Sequence, residues 1–251
     1  MTETALATRG LNKNFGALKV TQSVDFDLPA GARYALIGPN GAGKTTFINL
    51  LTGVLPPDSG TIELGGADIT TLPPHARVKR GLARTYQINT LFPDLTPLEA
   101  VALVVCERRG VARDWLRPVS RRAPIVDESY ALLKQLGIGD YVHRPTRELA
   151  YGHQRVLEIA LALATKPHVL LLDEPAAGVP AQESGILYEV ISALPAEIAV
   201  LFIEHDMDLV FRFASRITVL VSGKVLRQGP PDEIADDAEV RSVYLGTAVH
   251  G

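Results

Sequence analysis

The sequence predicts an α/β fold, with a mostly parallel sheet, an antiparallel β subdomain and an inserted α-helical subdomain. Three observations predict it. Residues 33–37, 169–172 and 199–203 read as short buried strands, and the last two are continuously apolar, as strands covered on both faces are. Val24, Phe26 and Leu28 alternate with Ser23, Asp25 and Asp27, the pattern of a half-buried antiparallel strand. From about residue 96 to 165 the glycine-ended strands stop and the text turns helical. The expected organisation is therefore a core in two parts, 1–95 and 166–251, around a helical segment at 96–165.

In chain order, residues 5–30 are expected to form strands, with residues 11–16 as the turn between them and Phe15 near a loop end. After the strand at 33–37, Phe47, Leu50, Leu51 and Val54 fall at i, i+3, i+4 and i+7, which predicts a helix that Gly53 and Pro56-Pro57 close. Thr61–Leu64 is a further strand. Residues 73–84 begin with Pro-Pro and carry a run of bases, read as a solvated helix face. Glu99 to Val105 has helical content. Residues 107–122 hold six arginines against two acids and read as a solvated loop. Ile217–Val221 and Val225–Gln228 form a strand pair about a Ser222-Gly223-Lys224 turn, and Asp232 is the expected N-cap of a closing helix that reaches Leu245.

Composition bounds the function. Hydrophobic content of 47% and charged content of 21% describe an ordinary globular chain, and a net charge of −3 gives no global pull toward nucleic acid. The single cysteine, Cys106, excludes an internal disulfide and suits a reducing compartment. The first residues lack the basic start and apolar run of a signal peptide, and no uncharged apolar run is long enough to span a bilayer. The expectation is a cytoplasmic chain unless a partner holds it at a surface. Apart from His205, the histidines show no ligand-like spacing, so no zinc site is expected.

The chemistry starts at Gly38-Pro39-Asn40-Gly41-Ala42-Gly43-Lys44-Thr45-Thr46, a full match to the phosphate-loop pattern G-x-x-x-x-G-K-[ST] between a strand and a helix. Glycines let the backbone wrap so that several N–H groups converge on one anion at the positive end of the next helix. Lys44 adds a point charge for the outer phosphates, and Thr45 offers a hydroxyl to Mg²⁺. The pattern implies a nucleoside triphosphate. The strands at 169–172 and 199–203 also end in polar chemistry, Asp173-Glu174 and Glu204-His205. Ligands sit at the carboxyl ends of parallel strands, so the three ends are expected to share one site. Asp173 is assigned to Mg²⁺, Glu174 to proton abstraction from an attacking water, and His205 to the γ-phosphate.

With those residues in place, the chain resembles the nucleotide-binding subunits of ATP-binding-cassette transporters over nearly its whole length. The resemblance implies a P-loop NTPase (RecA-like) core binding ATP and Mg²⁺. It also implies a metal-side glutamine at Gln87, an adenine-stacking ring at Phe15 and a signature helix at Ala150-Tyr151-Gly152-His153 that faces a partner's ATP. Phrases such as Glu174-Pro175-Ala176-Ala177-Gly178 and Val243-Tyr244-Leu245-Gly246 resemble the ATPases of branched-chain amino acid importers, with the lipopolysaccharide-export ATPase a near relative. The implied partners are a second cassette, membrane permeases and, indirectly, an external solute-binding protein, with no nucleic acid. Ala150 stands where the family has Ser, His153 where Gln or Glu is usual, Pro180 where Asp or Asn is usual and Leu161 where Arg is usual. The expectation is a competent Walker site paired with a weakened signature and loop, as in a heterodimer with one stronger site. A nucleotide-gated regulatory cassette with weak hydrolysis is the other reading.

Overall fold

The computed structural model describes residues 3–85, 91–112, 122–205 and 207–245. It divides into two compact units, the first comprising residues 1–82, 168–174 and 196–251 and the second 83–167 and 175–195. The sequence predicts boundaries at 95/96 and 165/166. The structure places residues 175–195 with the helical unit, because the helix they contain packs on the helix that begins at Tyr151.

In the first unit, β1 (Thr4–Phe15) and β2 (Leu18–Pro29) form a long antiparallel hairpin. The expected turn at 11–16 is shorter than the sequence reading had it. Strand β1 continues to Phe15, which pairs with Leu18, and only two residues make the bend. Bulges in β1 absorb the polar, irregular stretch that looked like loop. Strands β4 (Ser59–Leu64) and β5 (Ala67–Asp68) complete a sheet of order β2-β1-β4-β5.

The central sheet runs β10-β9-β3-β8-β7-β6, from β3 (Arg33–Ile37), β6 (Leu82–Arg84), β7 (Val169–Asp173), β8 (Ala199–Ile203), β9 (Arg216–Val221) and β10 (Lys224–Gly229). Strands β7, β8, β3 and β9 are parallel, and every residue of β7 and β8 is buried, as their unbroken apolar runs require. Strand β10 returns antiparallel through Ser222-Gly223, both at positive φ, the turn geometry that suits a two-residue hairpin.

Helix α1 (Lys44–Thr52) lies on this sheet with Phe47, Ile48, Leu50 and Leu51 in one core with Leu36, Leu171, Leu201 and Ile203. Phe26 meets Phe47 edge to face at 5.8 Å, so the antiparallel sheet shares that core. Gly53 ends α1 in the left-handed conformation, as expected. Most of helix α2 (Pro74–Lys79) is solvated, as expected, but Arg77 is not: it is 1% exposed and donates to the carbonyls of Leu50, Leu51, Thr70 and Leu72. A guanidinium with five donors can serve the last turn of α1 and the loop between β5 and α2 together, which a charge count along the chain cannot reveal.

In the second unit, α3 (Pro97–Arg108) starts with a capping box between Thr96 and Glu99, and α4 (Ala123–Gln135) packs beside it. Arg108 and Arg109, read as part of a solvated loop, end α3 and both pair with Glu128. Helices α5 (Tyr151–Ala164) and α6 (Ala181–Ser192) lie against each other. In the first unit, α7 (Met207–Phe213) follows β8, and the closing region is two helices, α8 (Pro231–Asp236) and α9 (Ala238–Leu245). Asp232 is therefore inside α8, whose N-cap is Pro230. Asp237 breaks the helix and caps α9 by accepting the N–H groups of Glu239 and Val240.

Candidate active site

The register of the central sheet brings the three polar strand ends into one row. Leu36 of β3 is paired with Ile203 of β8, and Ile203 with Asp173 of β7. The chain leaving β3 becomes the phosphate loop, and the chains leaving β7 and β8 become Glu174 and Glu204-His205.

Gly38 and Gly43 are the positions where the loop needs glycine. A Cβ on Gly38 would meet the carbonyl oxygen of Leu220 at 2.1 Å, and one on Gly43, at φ 100°, the carbonyl oxygen of Val20 at 2.5 Å. The loop is thus clamped between β9 and β2, with the Gly223 N–H donating to the carbonyl of buried Ala42. Asn40, Gly41 and Thr45 are exposed on it, and Thr46 is half-buried. The Lys44 ammonium is buried and donates to the carbonyls of Gly38 at 2.6 Å and Pro39 at 3.2 Å, so it lies along the inside of the loop. Burial lowers the Lys44 pKa from its ordinary value, against the opposing pull of Glu174 and Asp173. That pull places both carboxylates within electrostatic reach of the ammonium.

Asp173 is buried at the end of β7. Glu174 follows at φ 47°, left-handed and uncommon for a residue with a side chain, and its N–H donates to the Ile203 carbonyl at 2.8 Å. Its Oε1 lies 3.1 Å from Nε2 of His205, which is about half exposed. The backbone N–H of His205 donates to the buried carboxylate of Glu204. Lys44, Asp173, Glu174 and His205 therefore gather within the first unit.

Among the described residues no group of three or more His, Cys, Asp or Glu could hold a metal ion by itself. The donor set fits Mg²⁺ bound in another way, through one carboxylate (Asp173), one hydroxyl (Thr45) and the oxygens of a bound phosphate. Gln87, assigned to the same ion, lies outside the described residues. Phe15 is about half exposed at the hairpin tip, with the Lys13 ammonium 5.9 Å from its ring centre.

The signature residues lie in the second unit. Ala150 is the N-cap of α5 and supplies no side-chain hydrogen bond. The Tyr151 hydroxyl donates to the Ala177 carbonyl at 3.4 Å, and His153 lies on the ring of Tyr141 with centroids 4.4 Å apart. The Gly152 N–H donates to Oε2 of Glu183 at 2.6 Å. Sequence reasoning missed Glu183 and also Arg155, which is buried, pairs with Glu158 and reaches the Ala177 carbonyl. The one local signal for Arg155 is an opposite charge three residues on along a helix. Glu183 has none, because its partner is 31 residues away.

Comparison with known proteins agrees with this geometry. The ABC transporter family profile matches residues 21–177. The chain is 38% identical to the high-affinity branched-chain amino acid transport ATP-binding protein BraF of Pseudomonas aeruginosa, covering 99% of this chain and 100% of that protein. It is 37% identical to the LivG protein of the same description from Escherichia coli K12, again over 99% and 100%. Among solved structures, the ADP conformation of an ATP-binding cassette of an ABC transporter superposes with a TM-score of 0.84 at 27% identity, covering 98% of this chain and 100% of that one. A nucleotide-free cassette of the same kind gives 0.83 at 26% identity, over 96% and 98%.

Proposed function

From its membership of the ABC transporter ATP-binding family, we propose that this chain is the ATPase subunit of an importer for branched-chain amino acids or similar small solutes. The observation that carries the reading is the row Leu36, Ile203, Asp173, which ends three parallel strands side by side next to the phosphate loop, Glu174 and His205, on a chain that aligns end to end with BraF and LivG.

On this reading the loop from Gly38 to Thr46 holds the triphosphate through its N–H groups, and Lys44 exchanges its two carbonyl contacts for the β- and γ-phosphate oxygens. Thr45, Asp173 and Gln87 hold Mg²⁺, which supplies charge to the leaving phosphates. Glu174 takes the proton of the attacking water. His205 keeps the Glu174 carboxylate in place from the neighbouring strand end, and contacts the γ-phosphate. Phe15 stacks on the adenine.

Two cassettes close head to tail, and the Gly152 N–H at the start of α5 faces the partner's γ-phosphate. Ala150, Tyr151 and His153 flank it. With Ala150 lacking a hydroxyl and Pro180 lacking an N–H, the half-site lent to the partner is the weaker one, as in an asymmetric pair. Permease subunits hold the chain on the inner face of the membrane. Among the described residues no helix is long and apolar enough to cross it. Deleting the coding sequence in its host tests the substrate. Uptake of labelled leucine, isoleucine and valine is expected to fall and to be restored by the wild-type chain but not by Glu174→Gln. Unchanged uptake removes the branched-chain assignment.

A further inference from the structure

Helix α6 begins in an unusual way. Its N-cap is Pro180, which has no N–H, and Glu183 occupies the third helical position. An acid there ordinarily folds back onto the N-cap N–H, as Glu99 does onto Thr96 at the start of α3. Pro180 removes that acceptor's partner, and α6 has no side-chain cap bond. The Glu183 carboxylate goes instead to the neighbouring helix, where it accepts the Gly152 N–H at 2.6 Å.

Gly152 is the second residue of α5, so its N–H is among the first-turn donors that no intrahelical carbonyl serves, at the positive end of a 14-residue helix. Ala150 has no side-chain oxygen to offer it. The approach depends on the glycine, since a Cβ there would stand 2.9 Å from Oε2 and 3.0 Å from Cβ of Glu183. One anion already holds the N–H that the reading above assigns to the partner's nucleotide.

We infer that Glu183 is a built-in competitor of the γ-phosphate: its carboxylate holds the Gly152 N–H in the open chain and must leave before the partner's ATP can be gripped. The inference rests on the assignment of Gly152 to the partner's ATP. Two anions cannot share one N–H, so closure on ATP includes breaking a charge-assisted hydrogen bond, the stronger kind. ADP lacks the phosphate that reaches this donor and is indifferent to the competitor. Pro180 thus acts within its own chain, by denying Glu183 a local partner.

The test uses the assembled transporter, purified from its host through a tag on this chain, with ATP and ADP as probes. Glu183→Gln keeps the shape and an oxygen that can accept from Gly152 but removes the charge. It is expected to lower KM for ATP about 3- to 10-fold with no rise in kcat, and to leave inhibition by ADP unchanged. Pro180→Ala restores an N–H at the start of α6 and is expected to lower KM in the same direction, about 2-fold, by giving Glu183 a capping partner. An unchanged or raised KM in Glu183→Gln overturns the inference. A fall in thermal stability without the KM shift also overturns it, since that is what a plain helix cap would give. A KM shift matched by an equal shift for ADP overturns it too. A wild-type complex without ATPase activity removes the underlying reading itself, and is told apart because no variant then has a KM to compare.

Discussion

Nε2 of His205 stands 3.1 Å from Oε1 of Glu174, joining the ends of two neighbouring parallel strands whose last paired residues are Ile203 and Asp173. On the proposed function the two side chains act as a unit. Glu174→Gln is expected to reduce ATP hydrolysis by about 10²–10⁴-fold while ATP binding persists, because the amide cannot take a proton. His205→Ala is expected to lose at least about tenfold, and the double variant no more than the slower single one, since paired groups are not additive. Steady-state turnover and nucleotide binding measured on the same four proteins check this. Full multiplication of the two losses would mean that the residues work separately.

Lys44 spends its donors on the carbonyls of Gly38 and Pro39 and is buried against the loop it serves. Replacing it with alanine removes charge-assisted bonds worth roughly 1.5–3 kcal/mol, so ATP is expected to bind about 10- to 150-fold more weakly. Calorimetric titration of wild type and Lys44→Ala with ATP reads this directly. Equal affinities would take the phosphates away from this loop.

Much of this site was legible in the sequence because it is written locally. A phosphate loop, an apolar strand ending in Asp-Glu and another ending in Glu-His are each contiguous, and the preference of ligands for strand carboxyl ends supplies the convergence. What was not legible depends on tertiary approach. Arg77 looks like any base in a basic run until its burial under the end of α1 is seen. The N-terminal turn falls later than the sequence predicts because the bulged end of β1 is as polar as a loop. The break at Asp237 was invisible because an aspartate between two helical stretches caps as readily as it continues.

Arg77 yields a stability prediction. Its guanidinium satisfies four carbonyls, two of them in the last turn of α1, where a cation also suits the helix dipole. Burial lowers its pKa from the ordinary value while Asp68 opposes this, so the charge is held at a cost the four bonds offset. Arg77→Ala leaves those carbonyls without their donor and is expected to destabilise by about 3–5 kcal/mol. Lysine recovers only part, since one ammonium cannot span all four. The denaturant midpoint reports the loss. A shift below about 1 kcal/mol would mean that water replaces the guanidinium.

Glu128 gives the pH dependence. Burial alone would raise its pKa, but hydrogen bonds from Arg108 and Arg109 outweigh it, with the charge of Lys166 adding to them, and hold the carboxyl down from 4.5 to about 2. A pKa depressed in the folded state means that the unfolded chain binds the proton more readily. The contribution to stability is therefore complete above the unfolded value near 4.5 and is lost as pH falls from there toward about 2. Because Arg109 is 42% exposed and solvent screens it, the full effect is set at about 1–2 kcal/mol rather than the whole linkage value. The stability difference between wild type and Glu128→Gln, from denaturant midpoints at pH 7, 5, 4 and 3, is expected to hold from 7 to 5 and shrink steadily below that. A difference that stays constant to pH 3 would show that the clamp between α3 and α4 works through shape and neutral hydrogen bonds, with no net charge pairing.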